Sequence, residues 1–266
     1  MPAERRAVLV KTLRDQRRAT LLWAVGFAVV AVVYMSYFTQ IQADPSIVKS
    51  VQDLPGGLST ALDFTDLASA PGYLRATVFG LLGPLLMVMF AVMAGARSVA
   101  GEEESGLLDV YLSHPLTRRR LVLERFAAMT GQILLLAAVL WAVVALLDQA
   151  QGLGVGVDRL LAASLALALL GLCFGSVALA VGGATGGRTA ALATGAGVAV
   201  GTYLLNAVVS QLDAVRWLRL LSPFNYVQAD DPLVHGFRPG LLVLAAVPAV
   251  LLGLTLLAFD RRDLRV

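Results

Sequence analysis

The sequence predicts an all-α polytopic membrane protein of about six transmembrane helices, and three observations lead there. The chain has 266 residues, 58% of them hydrophobic and only 15% charged, with a mean hydropathy of +0.77. One soluble core does not hide that much apolar surface, so lipid is the expected solvent. The apolar residues gather into six runs of about 18 residues or more, the length that crosses ~30 Å of hydrocarbon. Basic residues, finally, cluster in the connections on one side. Leu, Ala, Val and Gly dominate and aromatics are only 7%, which suits helices packed on helices and not an aromatic-girdled barrel.

In chain order, residues 1–19 hold Val8, Leu9, Val10 and Leu13 among six basic residues. They read as a basic amphipathic helix on the inner leaflet, arginines among lipid phosphates, or as a solvated tail that sets topology. The first run, 20–38, is longer than the apolar region of a signal peptide and lacks a convincing small-residue cleavage site, so it is read as a retained span. A proline- and glycine-punctuated connection follows to the second run, 76–98; it predicts short helices and turns. The remaining spans are expected at 121–147, 160–185, 189–209 and 240–259, all within a single domain, 1–266. The connection 210–240 carries Trp217, Leu218, Leu220, Leu221, Phe224 and Tyr226, too apolar for an ordinary loop, and is expected to dip toward the bilayer interface.

Topology follows from charge. With the N-terminus inside, 15 of the 21 basic residues fall in inner segments, while the 18 acidic residues divide evenly. The expected arrangement is N-in and C-in.

The richest stretch precedes the third span. Glu102, Glu103 and Glu104 suit the positive end of a short helix. Leu107, Leu108, Tyr111 and Leu112 share one face at helical spacing, and Pro115 disfavours helix at His114. Thr117 then suits a cap for the next helix, whose arginines anchor it at the inner headgroups. The result is a cytoplasmic helix, 101–116, with an acidic start and an apolar face.

Here the residues resemble the permease subunits of ABC-2 type ABC transporters. The resemblance rests on Glu103-Glu104-x-Gly106-x-Leu108, then Leu112, then Pro115 followed by a hydroxyl residue and Arg118. The order of spans and connections agrees along essentially the whole chain. A departure is the run Arg118-Arg119-Arg120 with Glu124-Arg125, where such permeases often show a glycine-lysine pair; the register of the third helix is left open. The resemblance implies that 101–116 is a coupling helix docking into an ATP-binding subunit, with Glu102, Glu103, Glu104, Gly106, Leu107, Leu108, Tyr111, Leu112, Pro115 and Arg118 as the coupling residues. It further implies export, ATP and Mg in the partner and no cofactor in this chain, and a second permease chain as homo- or heterodimer. Membrane lipids are the other expected partner; nucleic acid is not expected. The expected location is the inner or plasma membrane.

Other signals are weaker. Gly182-Gly183-Ala184-Thr185-Gly186-Gly187-Arg188-Thr189 superficially fits a phosphate loop, but Arg stands where Lys is needed and a span precedes it, so a tight turn between helices is expected and the chain is not read as an enzyme. Glu103-Glu104 lacks the partner arginine of an intramembrane protease. Cys173 is alone and only His114 and His235 exist, so no metal site is predicted. No charge falls confidently inside the spans, which argues against an ion-coupled carrier. Gly171-x3-Gly175, Gly183-x3-Gly187 and Gly197-x3-Gly201 offer close-approach surfaces, within one chain or between two. Polar candidates for lining a path are Tyr34, Ser36, Tyr37, Thr130, Gln132, Thr202, Tyr203 and Asn206. The alternative to a transporter subunit is a membrane scaffold that uses the same cytoplasmic helix to recruit a soluble partner.

Overall fold

Small side chains decide which of the apolar runs takes the centre. The computed structural model describes residues 7–43, 66–67, 69–98, 118–209 and 213–260. Its long helices are α1 (Ala7–Ala43), α2 (Ala70–Ser98), α3 (Arg118–Gln151), α4 (Val157–Thr185), α5 (Arg188–Val209) and α8 (Gly240–Asp260), with α6 (Pro223–Asp230), α7 (Pro232–His235) and a 3-10 helix (Asp213–Leu221) between the last two. Six of these helices are long and apolar enough to cross a membrane, and no strand occurs among the described residues.

Helix α4 is the axis, packed against α2, α3, α5 and α8. Within its most apolar window 72% of residues are buried in protein, against 22% for α1, α5 and α8. A helix that is apolar all round belongs inside the bundle, and one that keeps a large-residue face turned outward meets lipid. Ala162, Ala163, Ala166, Ala168, Gly171, Gly175 and Ala178 are all buried on α4. Lipid removes the hydrophobic drive for helices to associate, so close van der Waals packing has to supply it. Small residues permit that closeness: a Cβ on Gly95 of α2 would lie 2.2 Å from the Gly175 carbonyl oxygen, and one on Gly171 2.7 Å from Met87 Cγ. Helices α2 and α4 therefore meet backbone to backbone. Gly171-x3-Gly175 is thus an internal seam, whereas Gly197 and Gly201 on α5 meet nothing within 4 Å.

Helix α1 runs unbroken through its 37 residues. The basic segment 1–19 and the span 20–38, expected as two elements, are one helix from Ala7 onward, because nothing between Ala7 and Thr20 is a proline or glycine able to break it. Phe27, Ala31, Met35 and Phe38 form its buried stripe, while Leu21, Leu22, Val25 and Val29 face outward. Thr20 and Gln132 tie α1 to α3: Gln132 Nε2 donates to Gln16 Oε1 at 3.0 Å and to Thr20 Oγ1 at 3.2 Å.

Helix α2 is interrupted. Its N-cap is Ser69, whose hydroxyl accepts from Gly72 N at 3.1 Å. From Arg75 to Leu82 it is wound as a π-helix, returning to α geometry at Gly83. Pro84 supplies a physical reason: it has no N–H for the Gly80 carbonyl, and its ring crowds that turn. A wider turn relieves both, as π segments commonly do where a helix ladder is broken. Gly83 N donates to Val78 O, five residues back.

The glycine run between α4 and α5 is the expected tight turn. Gly186 takes φ 72° and its N–H returns to Gly182 O at 2.8 Å, a left-handed cap that glycine adopts without a Cβ penalty. A helix enters this turn, where a phosphate loop requires a strand.

Candidate functional site

Polar groups gather where α2 begins and α5 ends. The last turns of α5 present Thr202, Tyr203 and Asn206, and across this end lies a cap built from Ser222, α6 and α7. Proline starts both short helices, its fixed φ being suited to a first turn. Ser222 Oγ donates to Thr202 O at 3.0 Å and Asn206 Nδ2 to Gln228 Oε1 at 2.6 Å. Asp230 Oδ2 accepts from Gly240 N at 2.8 Å, a carboxylate at the positive end of α8. Arg75 Nη1 donates to Asp231 Oδ2 at 2.6 Å. Phe224 seats the cap on the bundle, its ring 5.4 Å from Phe174 and 5.4 Å, edge-on, from Tyr203.

Two hollows meet at this end. A small cavity of about 50 Å³ lies under the cap, lined among others by Arg75, Ala163, Tyr203, Gln228, Asp231 and Leu233. A larger cleft of about 400 Å³ opens between α2 and α5, lined almost wholly by apolar groups including Leu85, Val88, Met89, Ala196 and Val200. Gly80, Leu81 and Tyr203 border both, so the cleft leads to the polar cap. Such a surface accepts an apolar body along the helices and a polar group at one end.

The structure brings together three of the expected path-lining residues and scatters the rest. Tyr203 borders both hollows, Asn206 is 3% exposed and ties to the cap, and Thr202 spends its hydroxyl on Val198 O and Ala199 O while its carbonyl holds Ser222. Gln132 instead sits between α1 and α3. The Tyr34 carbonyl accepts the Tyr73 hydroxyl at 2.9 Å. Tyr37 and Ser36 face outward on α1, and the Thr130 hydroxyl is buried on α3 with no hydrogen-bond partner.

Missed by sequence reasoning were Arg75, Ser222, Gln228, Asp230 and Asp231, while Phe224 was named only as one of the apolar residues of 210–240. Arg75 stands one residue before the expected second span, but it lies inside α2. The signal was present: one arginine heading an apolar run, and Asp230-Asp231-Pro232 punctuating a segment too apolar for a loop.

Of the expected coupling residues, Glu102, Glu103, Glu104, Gly106, Leu107, Leu108, Tyr111, Leu112 and Pro115 lie outside the described residues, as does the expected capping Thr117. Arg118 is the first residue of α3. Arg120 pairs with Glu124 one turn on, Nε to Oε1 at 2.8 Å.

Six apolar spans, one of them central, with an apolar cleft and a polar cap, define a polytopic integral membrane protein. The chain belongs to the ABC-2 family of transporter proteins, whose sequence pattern matches residues 6–264, and it is the membrane permease component of an ABC transporter, distinct from the ATPase. No curated protein matches the chain.

Proposed function

We propose that this permease is half of an exporter in the inner or plasma membrane, N-in and C-in, with two permease chains enclosing the path and a separate ATPase, carrying ATP and Mg, docked on the helix at 101–116. The observation that carries this is the open flank beside the cleft. On α5, Ala193, Ala196, Gly197, Val200, Gly201 and Leu204 face outward, and the α2–α5 cleft opens alongside. The outward face of α1 carries mostly large residues such as Leu21, Leu22, Val25 and Val29, which suit lipid. A second chain seated on α5 would wall off the cleft and make the enclosure that six helices alone do not.

Two measurements test this. Substituting isoleucine for Gly197 or Gly201, where the chain itself leaves room, should leave the monomer folded and weaken chain–chain cross-linking several-fold, about 1 kcal/mol or more of lost close packing. Unchanged cross-linking would move the interface elsewhere. For orientation, Gly57→Cys should react with an impermeant thiol reagent in intact cells and Asp109→Cys should not. The reverse pattern would invert the proposed topology, and with it the position of the ATPase.

A further inference from the structure

Two backbone irregularities meet at one ion pair. Arg75 is the first residue of the π segment in α2. Asp231, between α6 and α7, is the one non-glycine residue with positive φ among those described, at 38°. Their side chains are 28% and 12% exposed, and Asp231 Oδ1 is buried with no hydrogen-bond partner, so the carboxylate is only half satisfied. Residues held in sparsely populated backbone regions persist where their surroundings over-determine them, and they cluster at clamps and switches. Single π segments in helices share that association.

The ties of the cap are not equivalent. Asp230 binds α8, only 10 residues on, while Ser222 and Gln228 bind α5, 20 and 22 residues back. The Arg75–Asp231 pair alone among these polar ties reaches across to α2, over 156 residues, and it lies on the wall of the cavity that continues into the cleft. Losing it removes this polar tie to α2, while the cap keeps its ties to α5 and α8 and the Phe224–Phe174 contact with α4.

We propose that Arg75–Asp231 is a latch that shuts the capped end of the α2–α5 cleft and must part for solute to leave there. The π segment provides the movement. Returning it to α geometry, against the Pro84 crowding that the wide turn relieves, removes one residue from that turn and rotates the start of α2 by about 100° with a shift of about 1.5 Å, one residue of helix. That carries Arg75 off Asp231. Water entering the cavity then solvates both charges, including the oxygen left unpartnered when shut, so the pair is bound when dry and separable when wet. The proposal rests on the exporter reading, which places this end outside.

Labelling of a cavity residue tests it without knowledge of the cargo. Ala163 lines the cavity and is 3% exposed, so Ala163→Cys is placed in full-length chain lacking the buried Cys173 (Cys173→Ala). An impermeant maleimide applied to intact cells should label it slowly. Asp231→Asn and Arg75→Gln should each raise the rate about tenfold, as loss of a partly buried charge-assisted bond implies. The exchanged pair Arg75→Asp with Asp231→Arg should return it toward the parent rate. Equal rates in parent and single variants recovered at parent levels in the membrane would overturn the latch. Acceleration that the exchanged pair fails to reverse would overturn it too, assigning the pair to general folding. Labelling confined to inside-out vesicles would overturn the exporter orientation alone, since the rate differences between variants would still decide the latch.

Discussion

Gly95→Leu is expected to dismantle the α2–α4 interface. A Cβ there would sit 2.2 Å from the Gly175 carbonyl oxygen and 3.2 Å from Ala178 Cβ, so the obstacle is backbone of the central helix and not the tip of a movable side chain. Overpacking a core ordinarily costs about 1–3 kcal/mol through displaced side chains. Here α2 and α4 must separate along a seam that also seats Gly171 against Met87, which disturbs the neighbouring contact of Gly195 of α5 with Val92 of α2, and the expected loss is about 3 kcal/mol or more. In detergent the variant should unfold at a markedly lower denaturant concentration. Gly131→Leu on α3, where a Cβ meets nothing within 4 Å, should stay near the parent. Equal stability of the two variants would show that α2 and α4 do not meet at their glycines.

The second large effect is expected on the cytoplasmic side. Truncating Leu108, Tyr111 and Leu112 to alanine should abolish recovery of the ATPase with the permease, because these residues are the apolar face that the sequence offers to a partner. Interface anchors of this kind carry about 1–2 kcal/mol or more each, and three of them weaken binding by roughly a hundredfold or more. Reversing Glu103 and Glu104 to lysine should act less if they form a solvated rim and more if docking desolvates them. The membrane bundle should survive both sets of changes, since its helices satisfy their own backbone groups. Undiminished co-purification of an ATPase with the triple-alanine chain would remove the coupling role from 101–116 and favour the scaffold alternative.

The two experiments probe parts of the chain that differ in how far they can be read. The proposed coupling segment reads as a motif because charge, apolar spacing and proline all lie within twenty consecutive positions, and it lies outside the described residues. The candidate site at the capped end was legible only in part. Tyr203 and Asn206 were singled out as polar residues in an apolar run, but such residues also satisfy themselves across helices, as Gln132 does with Gln16 and Thr20. Sequence cannot separate the two outcomes, because each depends on which helices become neighbours.

By itself the sequence determined the class of fold, the six spans and the family. Each follows from local or additive properties: run length against bilayer thickness, the backbone's need for internal hydrogen bonds in lipid, and a short motif. Tertiary structure decided what depends on pairing between distant segments. Gly171-x3-Gly175 and Gly197-x3-Gly201 have the same spacing, yet one is a buried seam and the other an open face, because α4 is surrounded and α5 is not. Continuity of α1 across the expected break, by contrast, has a local reason, since no proline or glycine stands between Ala7 and Thr20. Arg75 and Asp231 lie 156 positions apart, and only the packing of α2, α5 and α8 around α4 places a lone arginine and a strained aspartate within hydrogen-bonding reach.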